Sequence, residues 1–192
     1  MMRKDDLWER AIEFATRAHS GAIRKGTNIP YVVHPIEASV IVRSLTEDLE
    51  VVAAAVLHDV IEDTSYTYED LEGRFGKRVA DLVAMESENK RPEMKASESW
   101  QVRKEEFLEH LQSAPREAKM IALGDKLSNI RSTVYTYSQI GEDCWKRFNV
   151  KDKSKQKWYY CSVANRLKEF SDTEAWRELC RHCKYLFGDL EV

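Results

Sequence analysis

Apolar residues along the chain recur at helical intervals. Leu7, Ala11, Phe14, Ala15 and Ala18 share one face of a 3.6-residue period and predict an opening amphipathic helix. It should stop near Ser20-Gly21, where a glycine can take a left-handed cap. The pattern is lost from Arg24 to His34, among Gly26, Thr27, Asn28 and Pro30, which predicts a loop. Pro35 suits the first position of a second helix, with Ala38, Ile41, Val42 and Leu45 as its apolar face. Val51 to Ile61 is apolar nearly all round, as expected of a central, buried helix. Thr67 with Asp70 reads as an N-cap and acidic first turn, and Gly76 separates that short helix from one carrying Val79, Leu82 and Val83. The polar stretch from Ser87 to Ser97, with Pro92, predicts a loop long enough to be functional, such as a lid. A helix follows from about Ser99 to Ala114-Pro115. Pro115 then opens a long helix in which Ala118, Ile121, Ala122 and Asp125 share a face. Two more are expected around Trp158–Phe170 and Thr173–Phe187. Strand-like alternation is nowhere sustained. The expected fold is all-α, about nine or ten helices in a single domain over residues 1–192.

Composition narrows the class. Of 192 residues, 43% are hydrophobic and 33% charged, a globular balance, and only 7 glycines and 4 prolines interrupt helices. The formal charge of −3 carries no general basic excess, so duplex nucleic acid is not an expected partner. A small anionic ligand held by a local basic cluster stays compatible. No apolar run reaches membrane-spanning length. The charged start Met1-Met2-Arg3-Lys4-Asp5-Asp6 lacks the apolar core of a secretory signal, so a cytoplasmic protein with reduced cysteines is expected. Cys180-x-x-Cys183 lies on a helical stripe with Trp176, Leu179 and Phe187, which reads as core rather than zinc or redox chemistry.

The chemistry concentrates in His58-Asp59-Val60-Ile61-Glu62-Asp63. Two titratable residues end an otherwise apolar helix, and a buried aspartate must be paired or bind a metal. An isolated His-Asp pair would read as a satisfied core histidine beside a helix-end carboxylate. Two further residues stand in similarly odd places. His34 precedes Pro35, which should hold its backbone extended just before a helix start. Asp125 lies on the apolar face of the long helix and needs a counter-charge. Two imidazoles and two carboxylates suit one divalent ion of Mn, Fe, Zn or Mg, with Mn favoured over structural zinc. Glu62 and Asp63, one turn on, can line the same cavity. Arg24 and Lys25 are candidates for phosphate contacts, or an ordinary solvated pair. Lys90, Arg91 and Lys95 read as a solvated charge run, and Tyr135, Tyr137, Trp145 and Phe148 as core aromatics.

These residues resemble the HD-domain metal-dependent phosphohydrolases, whose signature of a histidine, a His-Asp pair and a later Asp falls here on His34, His58-Asp59 and Asp125. The likeness is strongest to the hydrolase domain of RelA/SpoT alarmone enzymes and to small stand-alone alarmone hydrolases. It runs through Ala18-His19-Ser20-Gly21, Arg24-Lys25-Gly26, Pro30-Tyr31-Val32-Val33-His34-Pro35, Ala53 to Thr64, Phe75-Gly76, Val79 to Val83 and Asp125-Lys126-Leu127-Ser128-Asn129, about residues 7–167. The resemblance implies an HD-type helical bundle around a central metal, Mn2+, and removal of the 3′-pyrophosphate from guanosine tetra- or pentaphosphate. It implies Glu62 and Asp63 as catalytic carboxylates, and Arg24, Lys25, Lys126, Asn129 and Tyr160 as nucleotide contacts. The family's Ala-Asp-Arg-Leu-His-Asn reads Gly124-Asp125-Lys126-Leu127-Ser128-Asn129 here. Its Val-Thr-Glu or Val-Thr-Lys segment is replaced by Ala84-Met85-Glu86-Ser87-Glu88-Asn89-Lys90. With 192 residues and no room for a synthetase domain, a hydrolase-only protein is expected. Alternatives are an HD-type phosphatase acting on NADPH, a deoxynucleotide or another phosphate ester, and a nucleotide-binding sensor without catalysis. Intact Glu62 and Asp63 count against the sensor.

Overall fold

The computed structural model describes residues 6–88, 91 and 93–188. The chain falls into two compact units, Met1–Ser87 with Pro115–Asp125, and Glu88–Ala114 with Lys126–Val192. Its helices are α1 (Leu7–Ala18), α2 (Val33–Arg43), α3 (Leu49–Leu57), α4 (Val60–Asp63), α5 (Tyr68–Phe75), α6 (Lys77–Glu86), α7 (Trp100–Ser113), α8 (Arg116–Ile140), α9 (Lys153–Arg166) and α10 (Glu174–Phe187). No strand occurs among the described residues; Ile23 and Pro30 form one isolated antiparallel bridge.

In the first unit α3 is the hub, packed against α1, α2 and α6. Every residue from Val51 to Leu57 is fully buried. Each of the large ones, Val51, Val52, Val56 and Leu57, is worth about 1.5–3 kcal/mol of transfer free energy. The Asp48 carboxylate caps the helix by accepting from the Glu50 N–H at 3.0 Å. Thr67 and Asp70 exchange hydrogen bonds at 3.3 and 3.0 Å, a full capping box that starts α5. The first turns of α8 approach α2 closely: a Cβ on Gly124 would stand 2.7 Å from the Ala38 carbonyl oxygen.

Two of the boundaries that differ from the sequence expectation shape the site. Helix α2 starts at Val33, so His34 is helical rather than extended. The turn that leads in makes this possible: Val33 and His34 N–H groups donate to the Pro30 and Tyr31 carbonyls at 3.2 and 3.0 Å. Pro35 then sits in the first turn, where its missing N–H costs nothing. The expected helix over 51–61 breaks after Leu57 and restarts as the single turn α4, with Asp59 between them.

In the second unit α9 packs against α7 and α10. Trp145 is buried and stacks on Phe187 at 5.6 Å, near Phe148 and Tyr137, while Tyr135 is 65% exposed and leaves the expected aromatic core. Cys144 and Cys183 are buried, Cys161 and Cys180 half-buried, and none of the four forms a disulfide. Burial, with Cys161 nearby, pushes the Cys180 thiol up to about 11. Glu88 accepts from Arg103 at 2.9 Å and Lys104 at 2.6 Å in a largely buried cluster. Of the second basic run, Arg91 pairs with Glu106, Lys95 with Glu98 at 3.6 Å, and Lys90 lies outside the described residues. Among the described residues no helix is long and apolar enough to cross a membrane.

Candidate metal centre

Three elements of the first unit deliver four buried or half-buried side chains to one point. His34 comes from the first turn of α2, His58 and Asp59 from the break between α3 and α4, and Asp125 from α8. Ligand atoms of His34, His58 and Asp59 all lie within 4.8 Å of one another. Asp125 Oδ1 lies beside them, 3.1 Å from His34 Nε2 and 3.7 Å from His58 Nε2. The histidines are 2% and 3% exposed, so solvent cannot satisfy their ring nitrogens.

The donor arrangement asks for a cation. His58 Nδ1 lies 2.8 Å from the Ala55 carbonyl oxygen, which can only accept, so Nδ1 carries the proton. In the neutral ring the Nε2 lone pair then faces Asp59 Oδ2 at 2.9 Å. Nε2 is buried, out of reach of solvent. Two acceptors at that distance repel unless a positive charge lies between them. The two aspartates bring two negative charges to one corner, which a divalent ion balances. Two imidazole nitrogens and two carboxylate oxygens, without thiolate, are a donor set for such an ion. Without it, a proton takes that place. Burial works to lower the His58 pKa, but the Asp59 and Asp125 carboxylates outweigh it and hold the ring well above its ordinary range. Burial likewise raises Asp59, but His58 and His34 win and hold it well below the usual carboxylate range. For His34 burial wins over Asp125 and lowers the pKa.

Glu62 and Asp63 follow on α4, Glu62 half-buried and Asp63 exposed. The Asp63 N–H donates to the Asp59 carbonyl at 2.8 Å, which ties the two acidic residues into one turn. Arg24 and Lys25 sit at the tip of the loop after α1, half-buried and exposed respectively. Lys126, Asn129 and Tyr160 belong to the second unit. There Lys126 is buried with Nζ 4.4 Å from the Phe107 ring centre, and Tyr160 is buried against Phe187 at 6.2 Å. Asn129 is half-buried, one turn further along α8 than Asp125.

Two residues beside the centre escaped the sequence reading as site residues. The Tyr31 hydroxyl donates to Asp59 Oδ2 at 2.6 Å. His19 is 5% exposed and packs on the Tyr31 ring at 5.0 Å, with its Nε2 buried and without a hydrogen bond. A signal for His19 was there: it continues the Ala11, Ala15 spacing of the α1 core stripe, where an unpaired imidazole is out of place.

The chain is similar to known proteins in sequence and in fold. The HD domain family model matches residues 11–150. A guanosine-3′,5′-bis(diphosphate) 3′-pyrophosphohydrolase of Aquifex aeolicus is 36% identical over 124 residues, 65% of this chain and 17% of that protein. Bifunctional (p)ppGpp synthase/hydrolase SpoT of Escherichia coli K12 is 36% identical over 120 residues, 62% of this chain and 17% of its own. The chain thus spans about a sixth of the length of these relatives. The MESH1 3′-pyrophosphohydrolase of Danio rerio is 37% identical over 123 residues, 62% of this chain and 65% of that protein. Among solved structures, a metazoan SpoT ortholog described as hydrolysing ppGpp superposes with a TM-score of 0.77 at 24% identity, over 98% of this chain and 100% of its own. That likeness speaks to the fold. A crystal structure of lmo0812 from Listeria monocytogenes EGD-e gives 0.70 at 32% identity, covering 86% of this chain and 99% of its own.

Proposed function

The chain belongs to the HD domain family, and on that premise we propose that it is a metal-dependent phosphohydrolase that removes the 3′-pyrophosphate from guanosine 3′,5′-bis(diphosphate). The observation that carries the hydrolase reading is the meeting of His34, His58, Asp59 and Asp125, with His58 Nε2 2.9 Å from a carboxylate oxygen. The relatives' printed activities support the choice of substrate.

His34 Nε2, His58 Nε2, Asp59 Oδ2 and Asp125 Oδ1 would hold one divalent ion, assigned here as Mn2+ because carboxylates share the donor set with imidazoles. When bound, such an ion supplies a Lewis acid that acidifies water and polarises a phosphoryl oxygen. The protein's own groups do the rest. Glu62, one turn after His58 and half-buried, accepts the proton of the attacking water, with Asp63 beside it on α4. Arg24 and Lys25 offset charge on the diphosphate. The water oxygen bonds to the phosphorus next to the ribose 3′-oxygen, that P–O bond breaks, and the 3′-oxygen takes a proton. The products are GDP and pyrophosphate. The four thiols suit a reducing compartment, and we place the protein in the cytoplasm.

Phosphate and pyrophosphate release over a panel of guanosine 3′,5′-bis(diphosphate), NADPH and deoxynucleotides, with Mn2+, Fe2+, Zn2+ or Mg2+, tests this. The guanosine substrate with Mn2+ should be turned over fastest. Asp59→Ala should lose both metal and turnover, and Glu62→Gln should keep the metal while turnover falls about 100-fold or more. A metal-loaded protein inert on the whole panel would refute the hydrolase, and preference for another nucleotide would refute the substrate.

A further inference from the structure

We propose that Tyr31 is a positioning residue for the metal: its hydroxyl fixes the ligating oxygen of Asp59 and joins the metal centre to the loop that carries Arg24 and Lys25. This rests on the metal-site reading above. The 2.6 Å hydrogen bond ends on Oδ2, the same oxygen that lies 2.9 Å from His58 Nε2 and 3.5 Å from His34 Nε2. One lone pair of Oδ2 therefore meets the phenol while another stays directed at the imidazoles. Asp59 needs such help because it sits in the break between α3 and α4, and its side chain makes no capping hydrogen bond. A carboxylate there can rotate about its last torsion unless something pins it.

Tyr31 is itself held by its neighbours. Its ring lies between those of His19 and His34, at 5.0 and 5.9 Å. Its backbone N–H donates to the Ala22 carbonyl at 2.9 Å, the first rung of a short ladder. In the second rung the Arg24 N–H donates to the Ile29 carbonyl at 2.9 Å. The Thr27 hydroxyl closes the tip by donating to the Arg24 carbonyl at 2.9 Å, and Gly26 turns the chain with φ 77°. One residue thus forms the base of the basic loop with its backbone and the support of a metal ligand with its side chain. Outer groups that hold metal ligands typically affect metal affinity about 10–100-fold.

The test is Tyr31→Phe, which keeps the ring and the backbone rung and removes only the hydroxyl. Mn2+ affinity, by equilibrium dialysis with EPR of free Mn2+, should fall about 10–100-fold. The visible spectrum of the Co2+-loaded protein should change as Asp59 relaxes. At saturating Mn2+, KM should stay within about twofold of wild type, because the loop rung is intact, while kcat falls. A Phe variant with wild-type Mn2+ affinity and Co2+ spectrum overturns the proposal and leaves the metal site standing. Wild-type protein that binds neither ion overturns the metal site itself. His19→Ala serves as a second variant: it loosens the ring without touching the hydroxyl and should weaken Mn2+ binding less than Tyr31→Phe. A greater loss for His19→Ala would transfer the role to the imidazole.

Discussion

Where α8 comes nearest α2, a Cβ built on Gly124 would stand 2.7 Å from the Ala38 carbonyl oxygen and 2.8 Å from Val42 Cγ2. Gly124→Ala therefore sets two effects against each other. Alanine favours the helical backbone over glycine by about 1 kcal/mol. The added methyl has no room, and its nearest neighbour is backbone, which cannot swing away. Overpacking of this kind costs about 1–3 kcal/mol, and two simultaneous clashes argue for the upper end. The net expectation is a loss of about 2 kcal/mol. For a protein of this size that lowers Tm by roughly 4–8 °C. Relief requires α8 to retreat by a few tenths of an ångström, and the next residue is Asp125. Metal affinity should thus fall about tenfold along with stability, since ligand placement tolerates only about 0.2 Å. Gly73→Ala is the control: it lies in α5 with nothing within 4 Å of a new Cβ, so it should gain up to about 1 kcal/mol and leave the metal untouched. Urea unfolding of the metal-free proteins and Mn2+ titration of each decide the matter. If Gly124→Ala is as stable as wild type, the close approach of the two helices is wrong. If it is destabilised but binds Mn2+ normally, the link from that approach to Asp125 is wrong.

Metal binding should release protons. His58 is held protonated well into the neutral range by its carboxylates, so the ion must displace that proton. Near pH 7, calorimetry in buffers of different ionisation enthalpy should show about one proton released, with affinity rising with pH; no release would contradict the assigned state of His58. In metal-free protein the raised His58 pKa contributes stability that is complete below the unfolded value of about 6.5 and is lost as pH rises through the folded value. The depressed Asp59 pKa contributes above about 3.9 and is lost as pH falls through its folded value. Stability of metal-free protein should therefore fall away on both the alkaline and the acid side, and Mn2+ should remove the alkaline loss. Glu88→Gln would strand Lys104 and Arg103 in their largely buried positions and should cost about 3–5 kcal/mol, read as a lower urea midpoint. An unchanged midpoint would mean that the cluster opens to water.

What the sequence reveals and conceals follows from the kind of signal each feature leaves. The α3 run is legible because seven consecutive buried positions need seven apolar residues. The break at His58-Asp59 is not, because no glycine or proline marks it. The polar residues there mark the end of the apolar run, but not the turn that separates α3 from α4. The start of α2 is concealed for the opposite reason: Pro35 advertises a first position, and the turn donated to by Val33 and His34 overrides it through backbone bonds that leave no residue signature. His34, His58, Asp59 and Asp125 stand out in the sequence as a set rather than singly: the His-Asp pair and Asp125 are ionisable groups on apolar faces, which are costly, and His34 joins them at the start of a helix. Tyr31 does not stand out, because a tyrosine in a loop is ordinary until the 2.6 Å contact is seen.

The fully buried α3 also sets a hierarchy of opening within the first unit. Amides of a segment sealed on all sides exchange with solvent only when the unit unfolds as a whole, whereas those of an exposed loop exchange by local fluctuation. His58 closes the most protected segment, and Lys25 stands on a loop open to water. Deuterium uptake should therefore be slowest at 51–57 and fast at 24–28. The end of the unit proposed to hold the ion should stay shut while the loop proposed to meet the nucleotide remains free to adapt.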